Sequence, residues 1–290
     1  MKNLISIFAA IVLFSATASA QSGTMTTDSL RYKGNTYTYH LYRPANLPER
    51  APLVVMFHGY GSRSKPERYG LNQVADRYGF AVCYPRGPKD FKDKSCWDVG
   101  YEFHREKGWK RDDVGFACRL VRYLQKAYSF SRKNIFATGH SNGGEMCYLL
   151  AYKRPDLFAA VAPVSGLTME WMYRSLKAKC PVSLFEIHGT KDKTSAWEGD
   201  PTNEGGWGAY IAVPQAIGYW VAVNRCTHCE REELPLMRNK VIAHRYLGGT
   251  NGSEVWLYEV VGGGHSWADK DLDVGEHLWK FFARHITSER

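Results

Sequence analysis

The sequence predicts an α/β chain with a mostly parallel central sheet, helices on both of its faces and an antiparallel hairpin at its N-terminal side. Three observations predict it. Short apolar runs recur at 53–57, 80–84, 135–137, 158–164 and 181–187, and a run without polar alternation suits a strand buried on both faces. Helix-forming stretches separate most of these runs, which is the spacing of parallel strands joined by crossover helices. Finally, one run leads through Gly139-His-Ser-Asn-Gly143 straight into a helix-forming stretch at 145–153.

Taken in order, residues 1–20 read as a secretory signal. Lys2 supplies the positive start, 4–14 are mostly apolar, and Ala18-Ser19-Ala20 suits cleavage before Gln21. The apolar stretch is short for a bilayer span. Residues 21–290 are then expected to form one domain, exported to a periplasm or outside the cell. Residues 30–42 alternate around Gly34-Asn35, as in a hairpin. The run at 53–57 ends in His58-Gly-Tyr-Gly61, and a helix is expected over 67–78. The strand at 80–84 is closed by Pro85. Residues 86–111 form a charged, aromatic loop, and Asp112 or Asp113 caps a helix to about residue 128. The helix after Ser141 stops at Arg154-Pro155. Strands at 158–164 and 181–187 follow, the latter ending in His188-Gly-Thr-Lys-Asp192. After a glycine-rich loop, Pro214 opens a helix. Strands at 241–247 and 255–261 flank a Gly/Asn loop, Gly262-Gly-Gly-His265 lies just beyond, and an amphipathic helix over 272–285 closes the chain.

Composition narrows the function classes. The 290 residues are 44% hydrophobic and 14% aromatic, enough for a sizeable core. The net charge of +9 comes from basic residues scattered among acids. No nucleic-acid motif accompanies them, so a solvated basic surface is expected. Export would permit disulfides among the seven cysteines, with an odd one left over. Cys83 and Cys147 sit in apolar elements and read as buried thiols. Cys226-Thr-His-Cys229 lacks a second pair to complete a zinc site, so a disulfide from it or its neighbours is the expectation, and no metal.

The chemistry centres on Ser141. Gly-x-Ser-x-Gly between a strand and a helix is a nucleophile elbow, in which small flanking residues let strand and helix approach and the helix N-terminus favours negative charge. Ser141, Asp192 and His265 each fall just past an apolar run, in the Ser…Asp…His order of α/β-hydrolases. The carboxyl ends of parallel strands share one edge of the sheet, which would gather them. Ser141 is the expected nucleophile, His265 the base, and Asp192 the residue that orients it, chosen over Glu186 inside its strand and Asp200 deep in a loop. The expected oxyanion donors are the N–H groups of Asn142 and Tyr60, with Gly61 as runner-up. His58 is expected to hold its loop, and His140 fills the variable position of the elbow.

His58-Gly59, Asp112-Asp-Val-Gly-Phe116, Gly139-His-Ser-Asn-Gly-Gly144, Phe158-Ala-Ala-Val-Ala-Pro-Val-Ser-Gly166, His188-Gly-Thr-x-Asp192 and Gly262-Gly-Gly-His-x-Trp267 together resemble the polyhydroxybutyrate depolymerase-like esterases. That group overlaps carbohydrate esterase family one, with its feruloyl and acetyl xylan esterases. The resemblance implies an α/β-hydrolase fold and secreted carboxyl-ester hydrolysis without metal or organic cofactor. It places the family's triad on Ser141, Asp192 and His265, and its oxyanion donors on Tyr60 and Asn142. No polymer-binding module accompanies these motifs, so ester-substituted plant polysaccharide is the expected partner, ferulate before acetate, with hydroxybutyrate oligomers as an alternative. A serine peptidase would share the elbow, but no gating domain accompanies it. Among the loop aromatics, Trp267, Trp207 and Trp97 are the expected substrate contacts.

Overall fold

The computed structural model describes residues 23–62 and 65–288; the signal sequence expected over 1–20 lies outside them. The chain opens with β1 (Thr24–Tyr32) and β2 (Asn35–Arg43), paired antiparallel along their full length. The turn residues Lys33 and Gly34 both take positive φ, 45° and 80°, the two-residue geometry that matches the twist of a hairpin. There follow β3 (Leu53–Phe57), α1 (Leu71–Tyr78), β4 (Ala81–Arg86), α2 (Glu102–Glu106), α3 (Asp113–Tyr128), β5 (Ile135–His140), α4 (Asn142–Lys153), β6 (Ala160–Val164), α5 (Glu170–Ser175) and β7 (Ser183–Gly189). The remainder is α6 (Val213–Asn224), β8 (His228–Glu233), β9 (Val241–Leu247), β10 (Val255–Val260) and α7 (Val274–Ala283).

The strands form one sheet in the order β1-β2-β4-β3-β5-β6-β7-β10-β9-β8. The six central strands, β4 to β10, are parallel, and both flanks are antiparallel. Alternate residues of β3 serve two cores. Leu53, Val55 and Phe57 pack on the side of α3, α4 and α6. Val54 and Met56 pack on the side of α1 and α7. This period of two, within a run apolar throughout, is why the strand shows no polar alternation.

Several local expectations change. The helix expected over 67–78 is split, because Gly70 takes φ +66° between a single 3₁₀ turn at Pro66–Tyr69 and α1. Pro85 does not end its strand. The pairing of β4 with β3 stops at Cys83, so the N–H that Pro85 lacks is not missed on that side. Asp112 caps α3 by accepting from Gly115 N.

The expected disulfide is also corrected, since all seven cysteines are free thiols. Cys83, Cys96, Cys118 and Cys147 are buried within separate elements or loops, whereas Cys180 and Cys229 are exposed. Cys229 lies on β8, an edge strand whose six residues are all exposed, with its sulfur 3.6 Å from the Glu230 carbonyl oxygen.

Candidate active site

The loops after β3, β5, β7 and β10 leave the same edge of the sheet, since these strands run parallel. They carry Tyr60, Ser141, Asp192 and His265 respectively. The turn after β5 is strained. Ser141 takes φ 57° and ψ −121°, a region costly to a residue with a Cβ. The surroundings impose it. Ser141 N donates to Val164 O (2.9 Å), and Ser141 O accepts from Gly144 N (2.6 Å) and Glu145 N (3.0 Å). A Cβ on Gly139 would collide with the Gly143 carbonyl, and one on Gly143 with the Phe57 carbonyl. The glycines around the serine are thus required by backbone contact between β3, β5 and α4.

Asp192 and His265 lie on two turns fastened to each other. Thr190 N donates to Val260 O (3.0 Å), Lys191 N to Gly263 O (2.8 Å), and Gly262 N to Thr190 Oγ1 (2.8 Å). Asp192 is buried and fully engaged. Oδ1 accepts from the N–H groups of Thr194 and Ser195, both at 2.8 Å, and Oδ2 faces His265 Nδ1 at 2.8 Å. Burial opposes its charge, but the His265 contact and the backbone donors hold its carboxyl below the usual range. Nδ1 of His265 must donate to that carboxylate, which leaves Nε2 as the basic nitrogen. The ring of His265 lies against that of His140, centroids 5.0 Å apart, and so beside the residue preceding Ser141. Among the described residues the Ser141 hydroxyl forms no hydrogen bond. Catalytic hydrogen bonds commonly tighten only when substrate is present.

The N–H groups expected at the oxyanion differ in their present partners. Gly61 N is already used, donating to Ser95 O at 2.8 Å. Among the described residues the Tyr60 and Asn142 N–H groups have no protein acceptor. His58 holds this loop from within: Nδ1 meets Gly59 O at 2.8 Å, Nε2 accepts from Gly87 N at 3.0 Å, and burial pushes its pKa down to about 4. The Tyr60 hydroxyl donates to Asp90 (2.7 Å), which also takes His104 Nε2 (2.9 Å) and the N–H groups of Lys92 and Lys94. Asp90, Cys96 and His104 bring three potential metal-ligating atoms within 4.8 Å of one another. Their chemistry is that of a hydrogen-bond network. The Asp90 carboxylate is already satisfied, burial pushes the Cys96 thiol up to about 12, and a guanidinium nitrogen of Arg111 lies 3.9 Å from its sulfur.

The aromatic expectations need correction at two of three positions. Trp97 is 0% exposed; its indole donates to His58 O (3.0 Å) and it stacks on Phe116. Its backbone clasps the Asn142 side chain, with N–H to Oδ1 at 2.7 Å and carbonyl to Nδ2 at 3.1 Å. Trp267 is 2% exposed and packs against Tyr69 and His140. Both are wall supports. Trp207 is half-buried and keeps company with Tyr60, 5.5 Å between ring centroids, and with Phe103. The rival acid Asp200 caps its own loop, accepting from Glu204 N and Gly205 N. Glu186 is buried against His188, a pairing that sequence reading did not expect. Glu145, also unexpected, accepts from the Tyr101 hydroxyl at 2.5 Å and from Asn142 Nδ2 at 3.4 Å, and burial raises its carboxyl to about 7.

These buried groups fix a pH response. Burial pushes His58 and His285 down to about 4 and His140 to about 3. Below pH 6.5 the unfolded chain takes up protons at these sites that the fold refuses. Stability is therefore lost as pH falls from about 6.5 to 4, each group contributing up to about 1.4 kcal/mol per pH unit. Glu145, Glu186 and Asp98, whose carboxyls burial raises, work oppositely, but the lowered His104 and His277 and the lowered Asp90 and Asp192 carboxyls act with the first three. The midpoint of urea unfolding is expected to drop steadily from pH 7 to 4.5, and a flat profile would contradict this account.

The chain matches the family model described as Esterase PHB depolymerase over residues 36–181, a segment that includes Ser141 and ends before Asp192 and His265. It is 30% identical over 167 residues to the bifunctional acetylxylan esterase/xylanase of Neocallimastix patriciarum, covering 57% of this chain and 23% of that protein. It is 28% identical over 137 residues to feruloyl esterase B of Talaromyces funiculosus, covering 46% of this chain and 37% of the relative. It thus spans less than half the length of these curated relatives. The structure aligns with an acetyl xylan esterase from Aspergillus awamori at TM-score 0.59 and 17% identity, over 89% of this chain and 99% of that one. This likeness identifies the sheet and its helices as an α/β-hydrolase fold. With half its length matched by the family model, and the glycine-flanked Ser141 within that half, the chain belongs to the PHB depolymerase esterase family.

Proposed function

We propose that the chain is an exported serine hydrolase of carboxyl esters, acting on acylated plant cell-wall polysaccharide. The observation that carries this reading is the Asp192–His265 contact of 2.8 Å at the sheet edge where the strained Ser141 sits. Ser141 Oγ attacks the ester carbonyl carbon as His265 Nε2 takes its proton. The carbonyl oxygen, now anionic, accepts from Tyr60 and Asn142 N–H. The tetrahedral species expels the alcohol, which receives the proton from His265, and leaves an acyl group on Ser141. Water, deprotonated by His265, repeats the sequence and releases the acid. No step draws on a metal or organic cofactor.

The half-buried Tyr60, Phe103 and Trp207 beside the oxyanion loop support a feruloyl group as the acyl part, because a phenolic ring stacks on such surfaces. A second reading, acetyl, is favoured by the burial of Trp97 and Trp267, which removes two of three expected aromatic contacts. Among the described residues no helix is long and apolar enough to cross a membrane, and the proposed location rests on the signal expected from the sequence of residues 1–20.

A substrate panel tests this proposal. Acid release should be fastest from methyl ferulate. Faster release from acetylated xylan would replace feruloyl by acetyl. Hydrolysis confined to hydroxybutyrate oligomers or to a peptide amide, or of nothing in the panel, would overturn the polysaccharide reading.

A further inference from the structure

Behind Asp192 lies a second, wholly buried pair. Glu186 and His188 are two residues apart on β7, so their side chains leave the same face of the sheet. Both side chains are 0% exposed. His188 Nδ1 lies 2.8 Å from Glu186 Oε1, Nε2 lies 2.8 Å from Ser195 O, and Nε2 lies 3.7 Å from Asp192 Oδ2.

Counting protons settles what these contacts require. A carbonyl oxygen only accepts, so Nε2 must carry hydrogen toward Ser195. A neutral imidazole would then turn a bare Nδ1 toward Glu186. If that carboxylate were ionised, two lone pairs would face each other at hydrogen-bond distance in a dry interior. One further proton must therefore lie between Nδ1 and Oε1. Gly166 N adds a donor to the same oxygen at 3.2 Å. The other titratable groups that face the pair are Tyr148, Glu145 and Cys147 from α4, His140 from β5, and Asp192 from the loop after β7.

We propose that Glu186 and His188 hold this extra proton as a buried carboxylate–imidazolium pair, and that the pair positions the triad acid. Resting on the serine-hydrolase reading above, the proposal makes both of them positioning residues that never touch substrate. The positive end of His188 faces Asp192 and favours its ionised form. Its bond to Ser195 O pins the loop whose Thr194 and Ser195 N–H groups grip Asp192 Oδ1. Although burial opposes charge on His188, the Glu186 contact raises its pKa above the usual histidine range, in keeping with a retained proton.

The decisive measurement is ¹⁵N imidazole NMR of the whole chain, with His188 assigned by its loss in His188→Gln. Both His188 nitrogens should be protonated through neutral pH, and Glu186→Gln should release the Nδ1 proton. A bare Nδ1 in the unaltered protein would overturn the proposal, whatever the substrate panel shows. Kinetics give the second arm. Glu186→Gln should lower kcat by roughly tenfold to a hundredfold with KM nearly unchanged, through loosened orientation of His265. Glu186→Gln removes the positive end from beside Asp192. The acid limb of kcat/KM should therefore move up by about half a pH unit. A lower kcat with an unmoved acid limb would mean that Glu186 only packs, and would refute the electrostatic part. If the unaltered chain hydrolyses no ester, the hydrolase reading fails by itself, while the NMR result still decides the proton.

Discussion

Ser141→Ala is expected to lower kcat by a factor of about 10⁶ while leaving KM nearly as it was, since the acyl-enzyme route is closed and substrate binding is not. The companion Ser141→Gly should be equally inactive and yet more stable than Ser141→Ala. That ordering is unusual, because glycine in place of alanine ordinarily costs roughly 0.5–1 kcal/mol of backbone entropy. Here φ 57° and ψ −121° put any Cβ in a strained region, where the cost is about 1–3 kcal/mol. The strain is sustained by hydrogen bonds on both sides of the residue, to Val164 O and from Gly144 N and Glu145 N, so it does not relax when the hydroxyl is removed. Glycine alone escapes it. A difference of about 1 kcal/mol, or roughly 2–4 °C in thermal midpoint for a domain of this size, should separate the two variants. Equal or reversed stabilities would show that the turn stores little strain. Retained hydrolysis in either would show that another residue is the nucleophile.

How far the site was legible depended on what each residue had to satisfy. The elbow was readable because its glycines answer a steric demand local in sequence. Gly139 and Gly143 face backbone atoms at positions where no Cβ fits. The central strands were readable because burial on both faces leaves a continuous apolar run. The edge strand β8 was not, because all six of its residues face solvent and it pairs on one side only. The short helices α2 and α5, of five and six residues, carry too few turns for a periodicity to emerge. The tryptophans mislead for a related reason. An indole in a loop can cover the core or line a cleft with the same composition around it. Trp97 went inward because its backbone and ring hydrogen-bond to Asn142 and His58, partners distant in sequence. Glu186 was visible as one charge within an apolar run, but only the fold shows that His188 is its partner.

Asp192→Asn should cost about 10⁴ in kcat with little change in KM or folding, and the hydrogen bonds around residue 192 say why. Oδ1 accepts from two backbone N–H groups, Thr194 and Ser195, both at 2.8 Å. An asparagine must keep its oxygen there, because an amide –NH₂ in that position would confront two donors. Its nitrogen is then forced into the place of Oδ2, 2.8 Å from His265 Nδ1, where it can only donate. His265 must offer a bare Nδ1 to receive that bond, and its single proton moves to Nε2, the nitrogen that has to accept from Ser141. The wrong tautomer is thereby locked in by the backbone of the 192–195 loop, without displacement of any catalytic atom. The amide would also turn a donor toward His188 Nε2–H, 3.7 Å from the present Oδ2, a repulsive contact that the two backbone donors at Oδ1 prevent it from escaping by a flip. ¹⁵N NMR of the variant should find the His265 proton on Nε2, and the loss in kcat should far exceed any shift in thermal midpoint. Near-normal turnover in Asp192→Asn would mean that His265 takes its orientation from elsewhere, and would remove Asp192 from the triad.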